Sequence, residues 1–279
     1  MRIWIYLIPL AGIAAILGGL ALLVIDSDTR DAPSASPAPD SVLLLCDESI
    51  HPPVAGVDLE HGGGVLELFL RRSGIPINAD YAPSHELLDS IRQEGQADLF
   101  VPGDDVYLQQ AQAEGLVSQV YPVASLEPVI LVRRGNPDGI QSMADLANPE
   151  LRVAIVQREA SAVGRVAHEL LQRHGVSLAE HPALVTPPGP GAMDHARSVQ
   201  AGEADAAIVW KTVATQFPRN TEFVEIPAEQ NIFAPLHVAL LTTGHHADDA
   251  RRFAQFMAGS VARQVFEKYL YHVEWDDEY

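Results

Sequence analysis

The sequence predicts an α/β protein with mostly parallel sheets and helices on both faces. Short apolar segments typical of buried strands alternate along the chain with segments of helical periodicity, which is the pattern of β-α-β units. Apolar residues make up 47% of the 279 residues and charged residues only 20%, so the chain can build a large core. After residue 40 the sequence contains no internal repeat and no low-complexity run. These observations predict a globular α/β region of one or two domains.

The predicted strands are short, apolar and followed by polar or small residues that begin a turn. In order, they lie at residues 42–46, 77–81, 98–101, 129–132, 152–156, 206–210 and 237–241. The predicted helices carry apolar residues at the three- and four-residue spacing of a buried face. They lie at residues 65–72, 86–94, 104–114, 162–174, 192–201 and 247–257. A loop rich in Pro and Gly, residues 187–191, precedes the helix that starts near Ala192.

The N-terminus predicts a membrane segment. Residues 3–25 contain no charged side chain and would span about 34 Å as a helix, enough to cross the hydrocarbon core. Residues 1–25 are therefore an N-terminal transmembrane anchor or, in the alternative interpretation, a cleaved secretory signal. Residues 26–40, rich in Pro, Ser and Ala, form an extended tether. Arg2 precedes the segment and acidic residues follow it, so nearly all of the chain is expected outside the cytoplasm.

Composition and motifs exclude several functional classes. The 18 Lys and Arg residues against 37 Asp and Glu residues give a net charge of −19, which argues against nucleic-acid binding. The lone Cys46 forms no disulfide within the chain, and no cysteine and histidine spacing of a structural zinc site is present. GxSxG, GxxxxGK[ST] and HExxH are absent. We expect neither an enzyme, nor a cofactor, nor a dedicated metal site.

The turns from strand to helix are the informative feature. A helix start offers unpaired N–H groups and a positive dipole end, and several of them aimed at one point bind an anion without Lys or Arg. The candidate turns are residues 46–49, 82–85, 161–164 and 191–192. Taken singly, each turn fits an ordinary helix cap better, in which Ser or Asp satisfies its own helix.

Four segments carry a resemblance to a known family. They are QADLFVPGD at 96–104, NPDGIQSMADL at 136–146, GEADAAIVW at 202–210, and the C-terminal region 247–269 that ends in QVFEKY. Together they resemble the periplasmic molybdate-binding proteins of ABC importers, and the likeness runs in order from about residue 42 to 269. The motifs are specific to two-lobed bacterial solute-binding proteins of type II, and less specific to molybdate.

The resemblance implies a periplasmic-binding-protein fold with two α/β lobes, a hinge of two crossing strands and the ligand in the cleft between the lobes. One lobe would comprise residues 41–124 and 233–279, and the other residues 125–232. It also implies that the oxyanion is held by serine hydroxyls and backbone amides at helix N-termini, without counter-charges. The ligand would be molybdate, tungstate or a similar oxyanion, and the partner an ABC transporter permease.

The resemblance places the ligand contacts residue by residue. The first falls on Ser49 or its neighbour Glu48, and the second on Ser84. The third and fourth fall on the backbone amides of Val163 and Ala192. The fifth falls on Trp210, where the family commonly has a tyrosine.

Several residues depart from the family pattern. Trp210 keeps a donor in its indole N–H but loses the phenol oxygen and adds bulk. His85 adds a group whose protonated form would favour an anion, whereas the carboxylates of Asp47 and Glu48 would repel one. The glycines at 62–64 stand where the family runs a longer first helix, and they either present amides to the ligand or interrupt the helix.

Two other functions stay open. The same fold could serve a different ligand, either a metal cation coordinated by Glu48, His85 and Asp104 or a small organic acid. Alternatively, the chain is a membrane-tethered sensory module whose closure signals to a partner. The expected location is extracytoplasmic in each case: periplasmic and tethered to the inner membrane, or released after cleavage of the N-terminal segment.

Overall fold

The computed structural model describes residues 41–56, 63–155, 158, 161–177, 183–187, 189 and 191–273. All of them belong to one compact unit, Pro37–Tyr279. The predicted membrane segment and tether at residues 1–40 lie outside the described residues. Within the described ranges, no helix is long and apolar enough to cross a membrane.

Strands and helices alternate along most of the chain. The strands are β1 Val42–Asp47, β2 Ile77–Ala82, β3 Leu99–Val101, β4 Val117–Leu126, β5 Pro128–Arg133, β6 Val153–Ala154, β7 Leu184–Val185, β8 Ala206–Trp210, β9 Thr221–Glu225 and β10 Ala234–Leu241. The helices are α1 Val65–Ser73, α2 Ser84–Glu94, α3 Asp105–Ala113, α4 Ala162–Arg173, α5 Ala192–Gln200, α6 Lys211–Ala214, α7 Ala247–Ala258 and α8 Ser260–Lys268. Every predicted strand and helix overlaps an observed one. The strands β4, β7 and β9 and the helices α6 and α8 add to the elements that periodicity predicts.

The strands form two five-stranded sheets. Sheet 1 has the order β2-β1-β3-β10-β4, and sheet 2 has the order β7-β6-β8-β5-β9. The chain passes from sheet 1 to sheet 2 at Glu127, between β4 and β5, and returns through residues 226–233, between β9 and β10. Each sheet is thus assembled from separate stretches of sequence.

Both sheets are mixed, which corrects the prediction of mostly parallel sheets. In sheet 1, β1 pairs in parallel with β2 and β3, whereas β10 is antiparallel to β3 and β4. In sheet 2, β6 is parallel to β7 and β8, and β5 is antiparallel to β8 and β9. The antiparallel pairs all include a strand next to a crossing between the sheets. Among the described strands, β10 in sheet 1 and β5 in sheet 2, each of which follows a crossing, run against the direction of the others.

Helices cover sheet 1 on two faces. Leu43, Leu45 and Phe100 pack in one cluster with Leu88 of α2 and Leu108 of α3. The alternate residues of β1 belong to another cluster, which contains side chains of α1 and α7 and extends to buried residues of sheet 2. Full burial of each large apolar side chain contributes about 1.5–3 kcal/mol. The alternation along β1 therefore places successive side chains in the cores on opposite faces of sheet 1.

Candidate oxyanion site between the two sheets

A cleft of about 1000 Å³ lies between elements of the two sheets. Four residues of the sequence-predicted site line it: Glu48, Ser49, Ala192 and Trp210. Much of the remaining lining is apolar or aromatic and includes Pro52, Pro53, Leu126, Met193, Val213, Tyr269 and Tyr271. Glu48 and Lys268 are the charged side chains among the described lining residues.

Three turns meet at the sheet 1 side of the cleft because three neighbouring strands end there. The register pairs Asp47 of β1 with Ala82 of β2, and Cys46 with Val101 of β3. The carboxyl ends of parallel strands lie at one edge of a sheet, which is the usual place for a ligand in an open α/β fold. The turns that follow β1, β2 and β3 are therefore brought together at this edge.

Asp47 lies at the centre of these turns. Its Oδ1 accepts hydrogen bonds from the backbone N–H of Ser49 at 3.0 Å and from the Ser49 hydroxyl at 2.6 Å. Its Oδ2 accepts from the backbone N–H of Ser84 at 3.0 Å and also from the Ser84 hydroxyl. Two serines from separate turns thus direct N–H and O–H groups at one carboxylate.

Ser84 connects this carboxylate to the third turn. It is the first residue of α2, follows the N-cap Pro83, and is only 4% exposed. Its Oγ accepts a hydrogen bond from the backbone N–H of Gly103 at 3.0 Å. A Cβ at position 103 would lie 2.7 Å from the Asp47 carboxylate, so glycine is required for the turn to approach it this closely.

The sheet 2 side contributes a helix start and an aromatic ring. Gly191 caps α5, and its N–H donates to the Asp194 carboxylate at 3.2 Å. Ala192 begins α5 at the wall of the cleft, and Trp210 ends β8 there with 8% of its surface exposed. An amide at a helix start and an indole N–H are both neutral donors suited to an anion.

An ion pair joins the two sides beside the cleft. The guanidinium of Arg165 in α4 donates to the Asp104 carboxylate, next to Gly103. Asp104 also caps α3 by accepting from the N–H of Val106 at 3.0 Å. The Asp104 side chain is 13% exposed and the Arg165 side chain 32%, so the pair is only partly screened by solvent.

Burial suppresses ionisation of the protein's own groups near Asp47. It raises the pKa of the Cys46 thiol well above its ordinary value, and the Asp47 carboxylate raises that pKa further. The pKa of Tyr271 is raised by burial first, and then by Cys46 and Asp47. Tyr271 lines the cleft and stays a neutral phenol at ordinary pH.

The other predicted site residues, Ser84, His85 and Val163, are not among the residues that line the cleft. His85 projects to solvent, with 61% of its side chain exposed and its Nε2 3.9 Å from Glu86. Val163 is buried in the apolar cluster that extends between the sheets. Gly64 of the glycine run caps α1 and packs so closely against residues 54–56 that a Cβ would not fit. Glu48, His85 and Asp104 do not form a metal cluster, and no group of three or more possible metal ligands occurs among the described residues.

Comparison with known proteins identifies the class. The family of bacterial extracellular solute-binding proteins matches residues 64–272, and the chain belongs to this family. A molybdate-binding protein, ModA, of Mycobacterium tuberculosis is 25% identical over 199 residues, which cover 70% of this chain and 73% of that relative. The resemblance to periplasmic molybdate-binding proteins is therefore confirmed.

Solved structures share the fold at lower identity. The substrate-binding domain of a putative molybdenum ABC transporter from Clostridium difficile has a TM-score of 0.69 and 18% identity, covering 84% of this chain and 99% of that chain. The sulfate-binding protein SubI from Mycobacterium tuberculosis has a TM-score of 0.62 and 17% identity, covering 83% and 86%. At these identities the likeness establishes the fold, and the ligand has to be argued from the site.

Proposed function

We propose that the chain is the extracytoplasmic receptor of an ABC importer and binds a small oxyanion, such as molybdate or tungstate, in the cleft between the sheets. The observation that carries the proposal is the set of donors around the Asp47 carboxylate. Ser49 and Ser84 surround two negatively charged oxygens with N–H and O–H groups, without a Lys or Arg among these contacts. Donors that hold a carboxylate in this way are chemically suited to the oxygens of a free oxyanion.

The binding residues would act from opposite sides. Ser49 and Ser84 would contact the anion from sheet 1, while the amide of Ala192 and the indole of Trp210 would contact it from sheet 2. Glu48, at the rim, would set the approach of the ligand through its charge. His85 and Val163 are not included, because His85 projects to solvent and Val163 is buried in the apolar cluster. Ser84 does not line the cleft either, and it is included because it shares the Asp47 carboxylate with Ser49.

Ligand capture would proceed by closure about the two crossings at Glu127 and residues 226–233. Sheet 1, up to Leu126 and again from Ala234, would move as one lobe, and sheet 2, from Pro128 to Glu225, as the other. These limits lie close to the expected lobes, residues 41–124 with 233–279 and residues 125–232. A ligand that contacts both lobes stabilises the closed state over the open one by its differential affinity. Molybdate and sulfate carry the same charge, so cavity size and donor geometry would discriminate between them.

Transport places further requirements on the chain. The segment at residues 1–25 would tether the receptor to the inner membrane, or would be removed after export. The closed, loaded receptor would then deliver the anion to a permease. A sensory module would use the same closure for signalling instead.

The size and lining of the cleft favour one second candidate, a small organic acid. A cleft of about 1000 Å³ exceeds the volume of a tetrahedral oxyanion, and Trp210, Tyr271 and Pro52 offer apolar surface. The carboxylate or phosphate group of such a ligand would use the same serine donors. Its carbon skeleton would then contact the aromatic wall.

Isothermal titration of the purified full chain tests the proposal. The titrants are molybdate, tungstate, sulfate and phosphate, each with and without a chelator, followed by small carboxylic acids. Chelator-independent binding of molybdate or tungstate supports the oxyanion receptor. Binding of a carboxylic acid, without binding of any of the four oxyanions, identifies the ligand as a small organic acid. Binding that requires a metal cation rejects both candidates.

A further inference from the structure

The Asp47 carboxylate saturates its hydrogen-bonding capacity on the serines of the proposed site. A carboxylate has about four acceptor positions on its two oxygens. Ser49 fills two of them through Oδ1 and Ser84 fills two through Oδ2. The donors of both turns are consequently already engaged by a group of the protein itself.

The surrounding backbone is shaped to hold the carboxylate. Gly103 approaches the Asp47 side chain so closely that a Cβ would overlap it at 2.7 Å. The Gly103 N–H also donates to the Ser84 Oγ, which leaves the Ser84 hydroxyl proton directed at Asp47. Asp47 is thus held by its own turn, by the α2 turn and, indirectly, by the turn after β3.

A free oxyanion and the Asp47 carboxylate therefore require the same donors. They cannot use the Ser49 and Ser84 groups together, and two negative charges placed a few ångströms apart repel each other. An anion binds these serines only when the Asp47 side chain leaves them. The apparent Kd of the anion is then the intrinsic Kd divided by the fraction of molecules with free serines.

We propose that Asp47 is a specificity-determining residue that competes with the ligand anion for Ser49 and Ser84. This inference rests on the proposed oxyanion site. In the ligand-free protein the Asp47 carboxylate occupies the serine donors. An external anion must displace it, so the apparent affinity for that anion is lower than it would be with free serines. Removing the carboxylate should tighten oxyanion binding, although the change deletes a residue at the centre of the site.

The test is titration of molybdate and tungstate into the wild type and the variants Asp47→Ala and Asp47→Asn. If Asp47 occupies the serines in more than about nine-tenths of the molecules, Asp47→Ala binds at least about tenfold tighter. Asp47→Asn binds tighter than the wild type too, because the amide has lost the charge and half of the acceptor positions. The folding of both variants is checked by circular dichroism. If the alanine variant does not fold, the asparagine variant alone tests the inference.

Asp249→Asn is the matched control, since it removes one carboxylate from the exposed surface of α7. Its affinity should equal that of the wild type, which excludes a general effect of net charge. Equal or weaker binding by both Asp47 variants overturns the inference while leaving the receptor function intact. If the Asp47 variants bind these oxyanions and the wild type shows no detectable binding, competition is supported but these oxyanions are rejected as the natural ligand. If neither the wild type nor any variant binds them, the inference is overturned.

Discussion

The guanidinium of Arg165 and the carboxylate of Asp104 form an ion pair that connects α4, on the sheet 2 side of the cleft, with the start of α3 on the sheet 1 side. Closure of a two-lobed receptor needs contacts that form between its lobes. In the proposed two-lobed receptor this pair would be such a contact, and it lies next to Gly103, which lines the cleft. We expect it to favour the closed arrangement.

Arg165→Ala should shift the receptor toward an open arrangement. Because exposed and half-exposed pairs contribute about 0–1 kcal/mol, we expect ligand binding to weaken by up to about fivefold. The radius of gyration of the ligand-free chain in solution should increase. Small-angle scattering and titration measure the two effects, with Arg251→Ala on the exposed face of α7 as the control. An unchanged radius and affinity in Arg165→Ala would show that the pair does not govern closure.

Ser84→Ala should weaken both the fold and anion binding. It removes the acceptor of the Gly103 N–H and one donor to Asp47, and leaving buried polar groups unsatisfied costs about 1–3 kcal/mol. Denaturant unfolding and titration measure the two losses. The control is Ser118→Ala, which loses a hydroxyl bonded to the Leu240 carbonyl, away from the cleft. Wild-type affinity in Ser84→Ala would remove the α2 turn from the site.

Trp210 should report ligand binding through its fluorescence. Its indole lies at the cleft wall and is 8% exposed, so closure around a ligand changes its surroundings. We expect the emission of the wild type to change on addition of the bound anion. Trp210→Phe should lose that response and bind more weakly, because it lacks the indole N–H. A full response in Trp210→Phe would place the change at another tryptophan.

Asp205 should make the stability of the sheet 2 region depend on pH. The Arg152 side chain donates to Asp205 at 3.0 Å and 2.6 Å, and this contact holds the pKa of Asp205 below its ordinary value. A lowered pKa contributes stability above the unfolded-state pKa of about 4, and that contribution is lost as pH falls through the folded-state pKa. Hydrogen bonds to a charged group contribute about 1.5–3 kcal/mol, so Asp205→Asn should be destabilised by that order near pH 7.

The measurement for Asp205 is the free energy of unfolding between about pH 2 and 7. The difference between the wild type and Asp205→Asn should shrink toward the acid end. Asp249→Asn is the control, because its carboxylate pairs with Arg252 at 3.3 Å on the exposed face of α7 and is 45% exposed. A difference that stays constant with pH would contradict a role for the Asp205 charge.

The buried strands could be predicted from sequence because their apolar runs are continuous. The strands that periodicity did not predict include the two sheet edges next to the crossings. In β4, Pro122 interrupts a run of exposed and half-buried residues, and Pro is tolerated at such an edge. In β9, Glu222 and Glu225 break the apolar pattern. These two edge strands carry no clear apolar signal, whereas the edge strand β2 was predicted at residues 77–81.

The candidate site could be predicted only in part, because some of its contacts join distant parts of the chain. The turn logic and the family resemblance indicated Ser49 and Ser84. The sequence also contains a signal for the local contact of Asp47, since an Asp two residues before a Ser commonly accepts its backbone N–H. The contacts of Asp47 with Ser84 and of Arg165 with Asp104 join distant parts of the chain. They depend on the order of strands in sheet 1 and on the two crossings, which local periodicity does not encode.

In the proposed receptor, an oxyanion binds between the two serine turns and the start of α5. Crystals of the full chain soaked in tungstate, with anomalous data collected at the tungsten edge, test it most directly. We predict one strong anomalous peak in contact with Ser49 and Ser84 and facing Ala192, with the Asp47 side chain turned away. No peak in the cleft at saturating tungstate, or a peak with Asp47 still bonded to both serines, would contradict the claim.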